Sequence, residues 1–363
     1  MPKSRRSLLS MAAVLGTALL VDGPRASAQE SETGKKIRQA VASGDLAGLH
    51  GVMVAHKGKV LVEEFFSGED ERWGVSLGKR DHGPETLHDL RSVTKSIVAL
   101  LYGMALAERR VPTVDRPLLA QFPEYADLAG DPRRDAITIG HALSMQMGTE
   151  WDESLPYSDP RNSEIAMEAA SDRYRFILDR PMIEPPGTQW RYNGGATAII
   201  GRVIAKGVGK PIDAYAKKKL LEPLGIREFE WIKGRDGEPS AASGLRLKLP
   251  DLVRIGEMVV AGGTFDGRTI VPADWLTALA TPRATTRDGL RYGYFWWLAP
   301  QGDPPVWVAC FGNGGQRLTV QSKHGLVIAI NAGNYNRPDD WKMPVKLIEG
   351  YLVPGLRDQI VGK

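Results

Sequence analysis

The sequence predicts an α/β (α+β) fold in which one antiparallel sheet is flanked by helices and carries an inserted, mostly helical region. Three observations predict it. Alternating apolar runs with the form of β-hairpins lie near both ends, at 51–66 and 316–331. Between them the apolar spacing turns helical, and Gly- and Pro-rich turns such as Glu184-Pro185-Pro186-Gly187 punctuate it. With 363 residues, 42% of them apolar, the chain can bury a large core as one large or two closely joined lobes.

The first element is expected to be removed. Lys3, Arg5 and Arg6 precede a mildly apolar stretch at 7–21, and Ala26-Ser27-Ala28 has the small-residue form of a cleavage site. Residues 1–28 therefore read as a signal peptide and 29–363 as the mature domain. The apolar stretch is shorter than the ~20 residues of a membrane span. Ser4-Arg5-Arg6-Ser7-Leu8-Leu9 fits a twin-arginine export signal, with an ordinary secretory signal containing two arginines as the alternative. Either route would place the mature protein outside the cytoplasm, periplasmic or extracellular. Residues 1–28 hold Lys3, Arg5, Arg6 and Arg25 against Asp22, so the net +4 of the whole chain falls to +1 without them. No electrostatic footprint for nucleic acid remains. Cys310 is the only cysteine, which excludes an internal disulfide, a cysteine metal cluster and a lipid-anchoring cysteine at the cleavage site. A soluble protein without a stable membrane anchor is expected.

The remaining elements follow in order. The polar stretch 29–35 is expected to be loose. The first hairpin turns at His56-Lys57-Gly58-Lys59, and a charged, Gly-containing loop spans 67–84. Residues 92–109 form a helix that is apolar nearly all round, hence buried. Further helices are expected at 138–145, 171–178, 196–206 and 212–221. The second hairpin turns at Ser322-Lys323-His324-Gly325, and a closing helix covers 340–352. A sheet lobe of 36–115 and 285–363 and a helical lobe of 116–284 result.

Two serines compete as nucleophile. Ser-x-x-Lys occurs as Ser92-Val93-Thr94-Lys95 and as Ser76-Leu77-Gly78-Lys79. On a helix, positions i and i+3 share a face, so the Lys95 amine can reach the Ser92 hydroxyl. Burial and the positive helix end would lower the amine towards a useful base, and N–H groups at the helix start could serve an oxyanion. Gly74-Val75-Ser76-Leu77-Gly78 fits the G-x-S-x-G elbow, which needs a strand before it and a helix after it. Loops are expected on both sides, so Ser92 is preferred. None of the six histidines has metal-ligand spacing, and each reads as a surface or capping residue.

Leu90-Arg91-Ser92-Val93-Thr94-Lys95-Ser96, Ile137 to Gly148, Pro186-Gly187-Thr188 with Tyr192-Asn193-Gly194-Gly195, Leu221 to Gly225 and Gly312-Asn313-Gly314-Gly315-Gln316 occur in this order. Together they resemble the class C β-lactamase-like serine hydrolases, in particular the branch of 6-aminohexanoate-dimer hydrolase and related esterases. The resemblance runs from about 48 to 336 and implies a β-lactamase/penicillin-binding-protein fold. It implies Ser92 as nucleophile, Lys95 and Tyr192 as acid/base pair, and a site that needs no cofactor or metal. Asn193, Asn313, Gly314, Gly315, Gln316 and Arg317 would contact substrate, and Trp151, Asp152, Tyr157, Trp296 and Trp297 could rim the cleft. Two departures stand out. Gly194 occupies the place of the family's Asn in Tyr-x-Asn, and Asn313 replaces a Lys or His, leaving Arg317 as a substitute cation. The expected partner is a small ester or amide. A β-lactamase or D,D-peptidase is the alternative within the class, and a non-catalytic penicillin-binding-like protein is the alternative outside it.

Overall fold

The structure, a computed structural model, describes residues 31–361. The expected signal peptide and the expected mature start at Gln29 lie outside the described residues. The stretch after them is not loose. Ser31 caps a helix, α1 (Glu32–Ala42), by accepting from Gly34 N, and Ile37 on its inner face is fully buried.

The first hairpin is β1 (Leu49–His56) and β2 (Lys59–Phe65), closed by Lys57 and Gly58, both at positive φ as a tight two-residue turn demands. The expected loop at 67–84 is instead a second hairpin, β3 (Ser67–Arg72) and β4 (Val75–Asp81). Its residues are charged on both faces, so no alternation marked it as strand. A short strand β5 (His88–Asp89) then leads into the buried helix α2 (Val93–Ala107), whose residues from Val93 to Ala105 are all buried.

The central region is helical, as expected, with shifted ends. It comprises α3 (Pro132–Asp135), α4 (Ile139–Leu143), α5 (Ser163–Ala169), α6 (Arg173–Leu178), α7 (Gly194–Val208) and α8 (Ile212–Ala216), which continues through a wider turn to Leu221. Strands β6 (Glu230–Trp231) and β7 (Leu245–Leu247) pair with β5 in the order β5-β7-β6. Helices α1, α3 and α5 went unrecognised in the sequence, and so did two that follow β7. One, α9 (Leu249–Val260), has Pro250 in its first turn, where the missing N–H costs nothing, and packs on the main sheet. After the small ladder of β8 (Thr264–Phe265) and β9 (Arg268–Thr269) comes the other, α10 (Ala273–Leu279), whose Trp275 donates to the Ala99 carbonyl of α2.

The chain then returns through β10 (Ala284–Thr285), β11 (Arg291–Tyr292), β12 (Trp297–Leu298), β13 (Val308–Gly312), β14 (Gln316–Gln321) and β15 (Leu326–Ala332). The main sheet has the order β10-β11-β12-β13-β14-β15-β1-β2, antiparallel throughout, so both ends of the chain meet where β15 pairs with β1. The closing helix runs past Leu352: α11 (Lys342–Leu347) passes through a wider turn into α12 (Val353–Val361).

Strand alternation sends side chains to two different cores. Val52, Val54, Ile328 and Ile330 meet Ile37, Leu347, Leu352 and Leu356 from α1, α11, the wider turn after it and α12. Met53, Ala55, Val327 and Ala329 face the opposite way, into the large core with α2, α9 and the inserted helices. No helix among the described residues is long and apolar enough to cross a membrane.

Candidate active site

The segment that presents Ser92 is fixed before the helix begins. Leu90 N donates to the Leu245 carbonyl, and the buried Asp89 lies between the guanidinium groups of Arg91 (3.1 Å) and Arg246 (2.8 Å). Arg91 also pairs with Glu71 on β3 at 2.9 Å. These contacts hold Arg91 at φ +49, a conformation that is costly for a residue with a Cβ. The sharp bend at Arg91 puts Ser92 at the mouth of α2, 9% exposed, on the wall of a cleft of about 1080 Å³.

Lys95 lies one turn on, almost fully buried, and all three of its N–H groups are used. They donate to Ser92 Oγ (3.0 Å), to the Ala242 carbonyl (3.0 Å) and to Glu164 Oε2 on α5 (3.4 Å). Burial pushes the ammonium pKa down, but the Glu164 carboxylate, helped by Tyr192 and Glu153, more than reverses this and the net direction is up. The expectation of a lowered Lys95 pKa is therefore wrong for the resting site. The buried counter-charge was invisible in the sequence, where Glu164 falls between the helices expected at 138–145 and 171–178.

Tyr192 sits in the loop before α7. Arg191 N donates to the Met145 carbonyl and Gly187 N to that of Gln146, so the 137–148 segment and the tyrosine loop brace each other. The Tyr192 ring lies 5.0 Å below the Lys95 ammonium, and its hydroxyl interacts with both Ser92 and Lys95. Burial raises its pKa, only partly offset by Lys95, so the phenol is neutral at rest.

Gly194 has a steric explanation. A Cβ there would collide with Glu164 Oε2 and crowd Glu153 Oε1, so two carboxylates fill the space where the family has an asparagine side chain. Asn193 does not compensate, because its Oδ1 caps α7 by accepting from Ala196 N (2.9 Å). Glu153 is buried and accepts from Trp151 Nε1 (2.6 Å), Tyr157 Oη (2.9 Å) and Gly194 N (2.5 Å). Burial, then the charge of Glu164, pushes its carboxyl up to about 7.

The other expected substrate contacts divide. Asn313, Gly315, Gln316 and Arg317 line the cleft together with Ser92 and Tyr192. Gly314 N is taken by Asp340 Oδ2 at 2.7 Å, so that N–H is not free for an oxyanion. Gln316 has its amide committed to the backbone of Ala332 across the sheet, a structural clamp rather than a substrate donor. Val93, Thr94 and Lys95 N–H groups donate to the Leu90, Arg91 and Ser92 carbonyls, which leaves the N–H of Ser92 itself at the helix start. Among the described residues Arg317 has no carboxylate within ion-pair distance. Its guanidinium lies 4.2 Å over Phe311, and burial lowers its pKa to about 10.

Tyr157 and Trp297 line the cleft, with Trp297 stacked on Phe311 at 5.1 Å. Trp151 and Trp296 belong to the core instead, Trp151 edge-on to Phe176 and Trp296 donating to the Ser96 carbonyl. Asp152 is exposed and accepts from Ser154 N. Sequence reasoning missed Glu153, Glu164, Trp307 and Phe311. Ser76 is exposed on β4, with its Oγ accepting from Gly78 N and no helix after it, so the elbow geometry is absent. The reading of every histidine as a surface or capping residue fits His141, which caps α4. It fails for His50 and His88, which are buried against each other beside His82.

An antiparallel sheet with an inserted helical region, a Ser-x-x-Lys opening a buried helix and a tyrosine facing that pair define the fold of β-lactamases and penicillin-binding proteins. The family model described as Beta-lactamase matches residues 34–342, and the chain belongs to that family. It is similar to esterase EstB of Burkholderia gladioli, 25% identical over 233 residues, which are 59% of this chain and 57% of the relative. It is similar to 6-aminohexanoate-dimer hydrolase of Paenarthrobacter ureafaciens, 24% identical over 280 residues, 70% of this chain and 68% of the relative. The matches therefore span between just over half and about two thirds of these two proteins. A Bacillus anthracis structure provisionally named as a 6-aminohexanoate-dimer hydrolase shares the fold, with a TM-score of 0.71 at 15% identity over 89% of this chain and 82% of that one.

Proposed function

We propose that the protein is a serine hydrolase that cleaves a small ester or amide through an acyl-enzyme on Ser92. The observation that carries this is the Lys95 Nζ to Ser92 Oγ contact of 3.0 Å, at the wall of a cleft and beside the Tyr192 hydroxyl. At rest Lys95 is a donor with no lone pair to offer. Transfer of one proton to Glu164 frees the amine, which takes the Ser92 proton as Oγ adds to the carbonyl carbon. Tyr192 gives its proton to the leaving alkoxide or amine as the old bond breaks and is reprotonated through Lys95. Water then takes the place of the leaving group: Lys95 receives its proton, Tyr192 protonates Ser92 Oγ as the acid departs and is reprotonated through Lys95, and Glu164 returns its proton to the amine. Trp297, Trp307, Phe311 and Tyr157 offer aromatic surface to an apolar part of the substrate.

A fluorophosphonate should label Ser92, and Ser92→Ala should abolish labelling and cut ester turnover by on the order of a thousandfold or more. Ser76→Ala should change neither. Labelling that survives Ser92→Ala would overturn the assignment. Arg317 favours a second reading, in which the acyl or leaving group carries a carboxylate, as β-lactams and D-amino-acid peptides do. On the first reading wild-type kcat/KM is higher for a neutral ester than for a cephalosporin, and Asn313→Lys raises the cephalosporin relative to the ester. A wild type that prefers the cephalosporin and loses that preference in Arg317→Gln would establish the second. Export of the mature chain belongs to this proposal as well, on the strength of residues 1–28.

A further inference from the structure

Three histidines outside the cleft are gathered from three segments: His50 on β1, His82 just after β4 and His88 on β5. Their ligand-capable nitrogens lie within 4.8 Å of one another. His88 Nδ1 is 3.1 Å from the Asp89 carbonyl, which can only accept, so this nitrogen carries the proton. The neutral ring then has its lone pair on Nε2, which is 2.9 Å from His50 Nδ1 and 3.6 Å from Asp70 Oδ1. Asp70, itself buried, accepts from the Tyr335 hydroxyl at 3.1 Å. His50 Nε2 and His82 Nε2 are buried without a well-formed hydrogen bond, although the Glu69 carbonyl is close to His50.

A core formed only for packing has no reason to gather two buried imidazoles, a half-buried third and a buried carboxylate with ring nitrogens left unsatisfied, since an unpaired buried polar atom is destabilising. The slot for His50 is also shaped by its neighbours: a Cβ at Gly68 or Gly333 would run into its ring. We propose that His50, His82, His88 and Asp70 form a binding site for a divalent transition-metal ion, with zinc the best match to three imidazoles and one carboxylate. Ligand atoms around tetrahedral zinc at about 2.0–2.1 Å stand roughly 3.3 Å apart. The His50 and His82 rings, stacked at 4.0 Å between centroids, must turn out of that stack for their lone pairs to converge on the ion. The hydrogen bonds from His88 Nδ1 to a carbonyl and from Tyr335 to Asp70 are the outer contacts that orient metal ligands. Four protein ligands leave no open position, which makes the role structural. The ion would tie the β3–β4 hairpin and β5 to β1. Tyr335 carries the same constraint forward, since its ring lies under the Arg91 guanidinium at 4.7 Å, next to Ser92.

The test uses the untagged protein, stripped with EDTA and then titrated with zinc chloride. About one zinc per chain should survive gel filtration, and Tm should rise by roughly 5 °C or more at a hundredfold excess over Kd. X-ray absorption of the loaded protein should show imidazole nitrogens and an oxygen at about 2.0 Å. His82→Gln and Asp70→Asn should weaken zinc binding roughly tenfold or more while fluorophosphonate labelling of Ser92 persists. A folded, labelling-competent wild type that retains less than about a tenth of an equivalent would overturn the proposal. So would zinc binding unchanged in both variants, or an absorption spectrum without imidazole. If the variants fail to fold, the wild-type stoichiometry and spectrum decide alone.

Discussion

Two glutamates and a glycine account for most of what is particular to this site. Glu164 holds Lys95 as an ammonium, and Glu153 shares its buried volume with Glu164 under the tyrosine loop. Gly194 is the residue that lets both carboxylates in. Restoring the family's asparagine with Gly194→Asn should therefore destabilise the protein by about 1–3 kcal/mol through overpacking. Adding Glu164→Ala should recover part of that loss, because the two side chains compete for one space. Denaturation of both single variants and the double variant measures the coupling, and simple additivity would show that the two positions are independent.

Glu153 makes a pH prediction whose sign follows from its raised carboxyl. Between the ordinary carboxyl range near 4.5 and about 7, the folded chain holds a proton that the unfolded chain has lost. Stability from this residue is thus greatest at low pH, falls as pH rises through that window, and levels off above it. Glu153→Gln cannot ionise and should flatten this part of the profile. Urea denaturation at pH 5, 6, 7 and 8 gives the difference between wild type and variant. Parallel profiles would place the Glu153 pKa back in the ordinary range.

At the scale of elements, α1 shows where sequence patterning fails and burial decides. Its segment begins polar, yet Ile37, Ala40 and its cap seat it on the outer face of the sheet beside α11 and α12. Ile37→Ala should cost about 2–5 kcal/mol in thermal or chemical unfolding, as deletion of a fully buried aliphatic side chain does. A cost within experimental error would mean that α1 adds nothing to the outer core. The β3–β4 hairpin is the opposite case. Its strands are held by backbone pairing and by charged residues such as Glu71 and Asp70, which reach inward to Arg91 and Tyr335. A strand that is polar on both faces has no hydrophobic period to betray it. Helix α9 was hidden differently, because Leu249-Pro250 looks like a break when it is in fact a helix start.

For the whole molecule, export is the property that residues 1–28 predict. Mass spectrometry of exported protein should give an N-terminus at Gln29 or within a few residues, and changing Arg5 and Arg6 to Lys should trap precursor inside the cell if the route reads paired arginines. Undiminished export of that double variant would point to the general secretory route. The architecture itself was legible because local signals and global topology agreed. Two hairpins with clear alternation, at 51–66 and 316–331, became β1–β2 and β14–β15, and the apolar-all-round segment after Ser92 became α2. Ser92 and Lys95 could be placed because three residues along a helix is one turn, a distance written into the sequence. Tertiary structure alone decided the rest. Glu164 lies 69 positions from Lys95, and Ala242 lies 147 away. His50 meets His88 across 38 residues. None of these pairs has a spacing that secondary structure imposes, so only the packing of α2 and α5 on α7, and of β5 and β1 about β3, could bring them together. The charge state of Lys95 follows from that packing too, since a buried ammonium takes its pKa from whichever counter-charge the fold places beside it.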